Sequence, residues 1–142
     1  MSVRNQFIKE FRGEALGAIT YETSSEEYFQ NQILRPILKL QNDLFIEIFK
    51  NYIIKSKANF ETFTVDKKMK FIENSIQNDM KFRSLLNGIV IGFFTIDDYM
   101  LYSKNASALN KRIATMVIER LKSQIQLFDL VWWRKDFGVK NK

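Results

Sequence analysis

Between Ile33 and Tyr52 the apolar residues Ile33, Ile37, Leu40, Leu44, Ile48 and Tyr52 recur at steps of three and four, with Leu34, Leu38, Phe45, Phe49 and Ile53 beside them. That period belongs to an α-helix; a half-buried strand would alternate every second residue. Two adjacent apolar rows are too wide for a helix buried on one side, so the segment must meet two or more neighbours. One proline and five glycines in 142 residues leave few tight turns with which to join many short strands. The chain is therefore read as all-α, a single-domain helical bundle.

A chain of this length can bury roughly 68% of the surface its unfolded form exposes, so it needs no covalent staple. Thirteen Phe, five Tyr and two Trp mean that aromatic rings must supply much of the packing. Hydrophobic residues at 46% and charged residues at 27% give the balance of a folded domain, not of a disordered chain.

The individual helices follow from period and end signals. Val3, Phe7, Ile8 and Phe11 lie at helical spacing ahead of Gly13, which suits a C-terminal stop. Residues 14–23 have no period and read as a loop. Ser24 and Glu27 form a capping-box pattern that starts a long helix over 25–56, with Pro36 kinking it or marking its true start, and with Lys55 and Lys57 at its C-terminal end. Thr64 is the next N-cap, followed by Val65, Met69, Ile72 and Ile76 on one face. Gln77, Asn78 and Asp79 offer a break before the most apolar helix, over 79–94. Thr95 with Asp98 marks a short helix to about Ser103, and the last long helix runs over 105–128. The expected arrangement is two long helices, 25–56 and 105–128, around the central apolar helix.

Gly88 and Gly92 stand one turn apart within that apolar helix. Each costs about 1 kcal/mol in helix propensity, and close approach of a neighbouring backbone is the usual compensation, so close helix packing is expected there. Asn87 and Gly88 would alternatively suit a hairpin turn, a reading weakened by the lack of alternation from Ile89 to Phe94.

Several chemistries are closed by composition. Without cysteine the chain holds no disulfide, thiolate metal site or cysteine nucleophile, and a reducing cytoplasm is the expected compartment. Without histidine it can make no His-ligated metal site, Ser-His-Asp triad or histidine base. No glycine pattern matches a phosphate-binding loop. No cofactor or metal is expected, and the catalytic residues would have to be carboxylates such as Glu73 with Asp79, or Asp97 with Asp98. Asp97 and Asp98 are already explained by the start of a helix. Arg4, Lys9, Glu10, Arg12 and Glu14 interrupt any secretory signal core, and the longest near-apolar run, Leu85 to Phe94, is half the ~20 residues a membrane helix needs.

Two features bear on partners. The net charge is +6, and Lys104, Lys111, Arg112, Arg120 and Lys122 face a single acid, Glu119, over the last helix. Such an excess suits an ordinary solvated face or a nucleic-acid-binding surface, although no helix-turn-helix or RNA-binding signature accompanies it. The bundle domain is placed at 1–128 and an aromatic, basic C-terminal tail at 129–142, where Trp132, Trp133, Arg134 and Lys135 are candidate interaction residues. Docking on the domain or on a second copy is the favoured reading, because two exposed tryptophans would promote association.

The stretches FRGEALG, LRPILKLQNDLFIEIFKNYI, IGFFT, SALNKRI and IERLKSQIQL resemble a family of small, uncharacterised all-helical bacterial proteins, some of which carry an automatic label of glyoxalase. The resemblance covers residues 4–128 and implies a recurring cytoplasmic helical domain. It transfers no site, because the two well-known glyoxalase classes use β-rich or metallo-hydrolase folds with histidine among their metal ligands. The expected function is non-enzymatic protein–protein contact or self-association, with nucleic-acid binding as the alternative and a carboxylate-based enzyme third.

Overall fold

The computed structural model describes residues 2–12 and 25–128. Of these, 87% are helical and none lies in a strand, which places the chain in the all-α class as a single-domain bundle. The elements are α1 (Val3–Arg12), α2 (Ser25–Phe29), a π-turn (Gln30–Leu34), α3 (Arg35–Leu40), α4 (Asn42–Ser56), a 3-10 turn (Phe60–Thr62), α5 (Val65–Asn78), α6 (Met80–Ile91), α7 (Ile96–Ser103), α8 (Ala106–Ser123) and a second 3-10 turn (Ile125–Phe128). The Gly13 stop, the loop over 14–23 and the Ser24 cap lie outside the described residues.

The helix expected over 25–56 is a rod in segments, and its interruptions have distinct origins. Pro36 has no N–H to donate, and its ring collides with the carbonyl of the residue four positions back. The backbone answers with a widened turn, in which the Arg35 N–H reaches back five residues to the Gln30 carbonyl. Pro36 thus neither starts the helix nor sharply ends it. The second interruption, at Gln41, involves neither proline nor glycine. Gln41 sits at φ −91°, ψ 6°, and the next residue, Asn42, exchanges two 2.8 Å hydrogen bonds with the Gln124 carboxamide at the end of α8. A reciprocal amide pair of this kind satisfies donor and acceptor on both partners.

Lys57 ends α4 in the left-handed region at φ 60°, a conformation usually taken by glycine. Thr64 caps α5 by accepting from the Lys67 N–H at 3.2 Å, as its position ahead of Val65 predicts. Asp79 does more than break the chain: its Oδ1 accepts from the Phe82 N–H at 3.1 Å and caps α6. The Thr95–Asp98 capping box is complete in both directions, at 3.1 and 2.9 Å.

Helix α8 packs on α5, α6 and α7, while α5 also packs on α6 and α1 leans on α3. Six residues of α8 are buried, among them Ile113, Val117 and Leu121. Rings tie the rod to this layer. Phe49 on α4 is fully buried and meets Phe71 of α5, Phe82 of α6 and Phe128 of the last turn at centroid distances of 6.1, 6.1 and 5.3 Å. A second centre forms where Phe94 meets Phe29 edge-on at 5.4 Å and Tyr102 at 5.6 Å.

The apolar helix α6 buries one side through Phe82, Leu86 and Val90, while Met80 and Leu85 are exposed. Among the described residues, none provides the close packing expected at Gly88 and Gly92. A Cβ on Gly88 would meet no described residue within 4 Å, and one on Gly92 would meet only carbonyls of its own helix, the nearest at 3.3 Å. Gly88 lies on the outer side of α6, where spacing alone could not place it. The hairpin alternative falls with the helix itself, which runs through Asn87 and Gly88.

Two outcomes are expected in urea unfolding. Phe49→Ala should lower stability by about 3–5 kcal/mol, because the ring is enclosed and its site cannot collapse easily. Gly88→Ala should raise it by about 0.5–1 kcal/mol, since the added methyl fits open space and removes backbone freedom from the unfolded chain. A loss of stability at Gly88 would point to a close neighbour after all.

Candidate functional site

Three places gather polar or exposed groups. The first is the corner where α1 meets the end of α6 and the start of α7. The backbone N–H groups of 92–94 turn back to the last carbonyls of α6, and arginines bind the carbonyls of that turn itself. Arg4 donates to the Phe94 and Gly92 carbonyls at 2.8 and 3.0 Å, and Arg12 donates to the Phe93 carbonyl at 3.1 Å. The same Arg12 nitrogen reaches Asp98 at 2.9 Å, a pair whose side chains are only 8% and 11% exposed. Asn5 accepts from the Ile96 N–H at 3.0 Å. This polar clamp holds α1, which buries only Ile8.

The clamp leaves apolar side chains outside. Val3, Phe7 and Phe11 follow one another at steps of four along α1 and are 85%, 59% and 54% exposed. Their rings form a ladder: Phe7 stacks on Phe11 at 5.5 Å, and Phe11 on Phe93 at 6.2 Å. On α7, Ile96, Tyr99, Met100 and Leu101 are also exposed. Of the twelve exposed large hydrophobics among the described residues, seven fall on these two short helices, so the exposure there is concentrated and not scattered.

The second place is a shallow groove of about 620 Å³ at the α5–α6 junction, lined by Tyr52, Ser75, Asn78, Asp79 and Lys81 among others. The Tyr52 hydroxyl donates to Asp79 Oδ2 at 3.0 Å, and its ring lies 4.1 Å from that of Phe82. Burial pushes the phenol above its ordinary value of 10.0, and the Asp79 carboxylate adds to this by accepting its hydrogen bond, while Ser75 opposes it. Both Asp79 oxygens are therefore used structurally, one by the helix cap and one by Tyr52.

The third is a groove of about 490 Å³ between the α2–α3 segment and α8, where Arg35, Arg112 and Arg120 converge with Thr115, Glu119 and Gln124. A smaller depression beside it shares Arg112 and Thr115 and adds one cation, Lys111, and one acid, Glu26. The basic run foreseen on the last helix is thus divided. Lys122 turns the other way and pairs with Glu73 of α5 at 2.6 Å. That hydrogen bond and the lysine's charge hold the Glu73 carboxyl below its ordinary 4.5.

Of the four carboxylates considered from sequence, three have structural employment: Glu73 with Lys122, Asp79 with Tyr52 and the α6 cap, Asp98 with Thr95 and Arg12. Among the described residues no group of three or more acids is placed to hold a metal ion. Trp132, Trp133, Arg134 and Lys135 lie outside the described residues. Sequence reasoning missed Arg35, read only as part of a helix, and it missed the caps made by Arg4 and Arg12, which depend on contacts more than eighty residues apart. Asn87, which entered the sequence reading through the hairpin alternative, has a buried Oδ1 with no hydrogen-bond partner among the described residues. No helix among the described residues is long and apolar enough to cross a membrane. Comparison with family models, curated proteins and solved structures returns no match.

The raised Tyr52 value fixes the sign of an alkaline effect. The folded state holds the phenolic proton more tightly than the unfolded chain, so this contribution is complete below pH 10.0 and is lost as pH rises through the elevated folded value. Tyr52→Phe should flatten the decline of melting temperature in that alkaline range. An unchanged slope would show that another group carries it.

Proposed function

We propose that the protein acts non-enzymatically in the cytoplasm, as a helical module that binds a protein surface through the α1–α7 face, and that its first partner is a second copy of itself. The observation that carries this reading is the exposed Val3, Phe7 and Phe11 row on α1, its two rings stacked, together with the four exposed apolar side chains of α7, the helix to which Asn5 and Arg12 bind α1. Aromatic residues at the centre of a patch give the largest return on association, because they remove much area from water for little lost side-chain freedom.

Charge favours a like partner. The chain as a whole is +6, yet α1 and α7 together carry three cations, Arg4, Lys9 and Arg12, against three carboxylates, Glu10, Asp97 and Asp98. In a two-fold contact the same patch meets itself, so a net charge on it would be self-repelling. A neutral patch on a basic protein avoids that repulsion. The absence of cysteine from the sequence suits the reducing compartment proposed.

Sedimentation velocity over a concentration series tests the idea. The full chain should sediment as a dimer that dissociates on dilution, and Phe7→Ser with Phe11→Ser should shift it to monomer. The same experiment with Trp132→Ser and Trp133→Ser asks whether the tail makes the contact instead. A chain that stays monomeric throughout, or a dimer lost only on changing the tryptophans, removes the α1–α7 reading.

A further inference from the structure

From the groove between α2–α3 and α8 we infer a binding site for a compact phosphorylated molecule, independent of the α1–α7 contact. Three guanidinium groups, from Arg35, Arg112 and Arg120, line one concavity of about 490 Å³ with a single carboxylate, Glu119. Like charges gathered in a recess repel each other unless an anion joins them. The lining carries a formal excess of two positive charges. The C-terminal end of α8, beside Arg120, offsets about half a charge through the helix dipole. What remains suits a multiply charged anion, not a neutral ligand.

The geometry is partly set in advance. Arg35 donates its Nε to Asn31 Oδ1 at 2.8 Å, which steadies the side chain and leaves both terminal nitrogens for a ligand. Arg120 lies over the Asn42–Gln124 amide pair, its Nη1 3.5 Å from Asn42 Oδ1. That pair ties the start of α4 to the end of α8, where Gln124 lines the recess. Arg112 has no carboxylate partner among the described residues. A guanidinium presents its donors as a planar fork that matches two phosphoryl oxygens, which favours phosphate over a halide or a single carboxylate. The hydroxyl of Thr115 adds a neutral hydrogen-bonding group in the same recess, while the Gln124 amide is taken up by Asn42 and the Arg120 carbonyl. Its volume is that of a small-molecule site. A polymer backbone would be met by a long open stripe of cations, but Lys122 is turned away to Glu73, and this breaks the run along α8.

The test is calorimetric titration of the full chain with inorganic pyrophosphate at low ionic strength. One pyrophosphate should bind per chain, and Arg35→Gln and Arg112→Gln should each weaken binding by about tenfold or more, the scale set by one charge-assisted bidentate contact. Both side chains are exposed, so circular dichroism and melting temperature should stay at the parent values. Lys9→Gln, on α1, should leave the affinity unchanged. A parallel titration uses a short oligothymidylate. Absence of saturable pyrophosphate binding overturns the inference, as does binding that falls equally with all three substitutions, which would mark diffuse attraction to a basic protein. Tight binding of the oligothymidylate without binding of pyrophosphate also overturns it, because the phosphates would then belong to a polymer.

Discussion

The enclosure of the Phe49 ring organises the bundle. Helix α4, the first 3-10 turn, α5, α6 and the last turn each send a ring into one cluster: Tyr52 beside Phe49, then Phe60, Phe71, Phe82 and Phe128. Edge-to-face and tilted pairs dominate, the geometry in which the positive rim of one ring meets the negative face of another. Because the rings interlock at several angles, a helix cannot slide along its neighbour without losing contacts on more than one element. Cations extend the cluster to the surface, with Lys67 4.3 Å from the centre of the Phe63 ring and Lys68 5.5 Å from that of Phe60.

Polar residues do a different job: they close the ends. Asp79, Thr95 and Asp98 answer backbone groups three residues away at helix starts, while Arg4 and Arg12 reach carbonyls more than eighty residues away. Their concentration around the α6–α7 corner explains how α1 attaches with a single buried residue. It also explains why apolar side chains remain outside. A helix held by hydrogen bonds to carbonyls can leave its hydrophobic side free, which a helix held by burial cannot.

Much of the fold was legible because helical period and cap chemistry are local. The double row from Ile33 to Tyr52 announced a helix with several neighbours, and Phe45, Phe49 and Ile53 within it are buried. Thr64 and the Thr95–Asp98 box marked their helix starts correctly. What was not legible depends on the third dimension. Nothing near Gly88 tells which side of α6 faces the core, and among the described residues no backbone approaches it. Pro36 announced an irregularity, but whether the chain breaks or widens depends on neighbours. The break at Gln41 lies beside an amide partner eighty-two residues away in sequence. The candidate sites were harder still. A charge run could be counted, but its division between Glu73 and the arginine recess required the rotation of α8 and the position of Arg35.

The seat of Phe128 has a consequence for how the chain is made. Its ring fills the space between Phe49 and Phe60, yet it is the last residue of the bundle described. During synthesis every earlier aromatic side chain emerges before its lid does. Nascent α4 and α5 therefore wait with an unsealed greasy slot facing the crowded cell interior, an invitation to chaperones and to other unfinished chains. The order of assembly places the final step of core closure at the carboxyl side, so ribosomal pausing before that residue would lengthen the interval of greatest vulnerability.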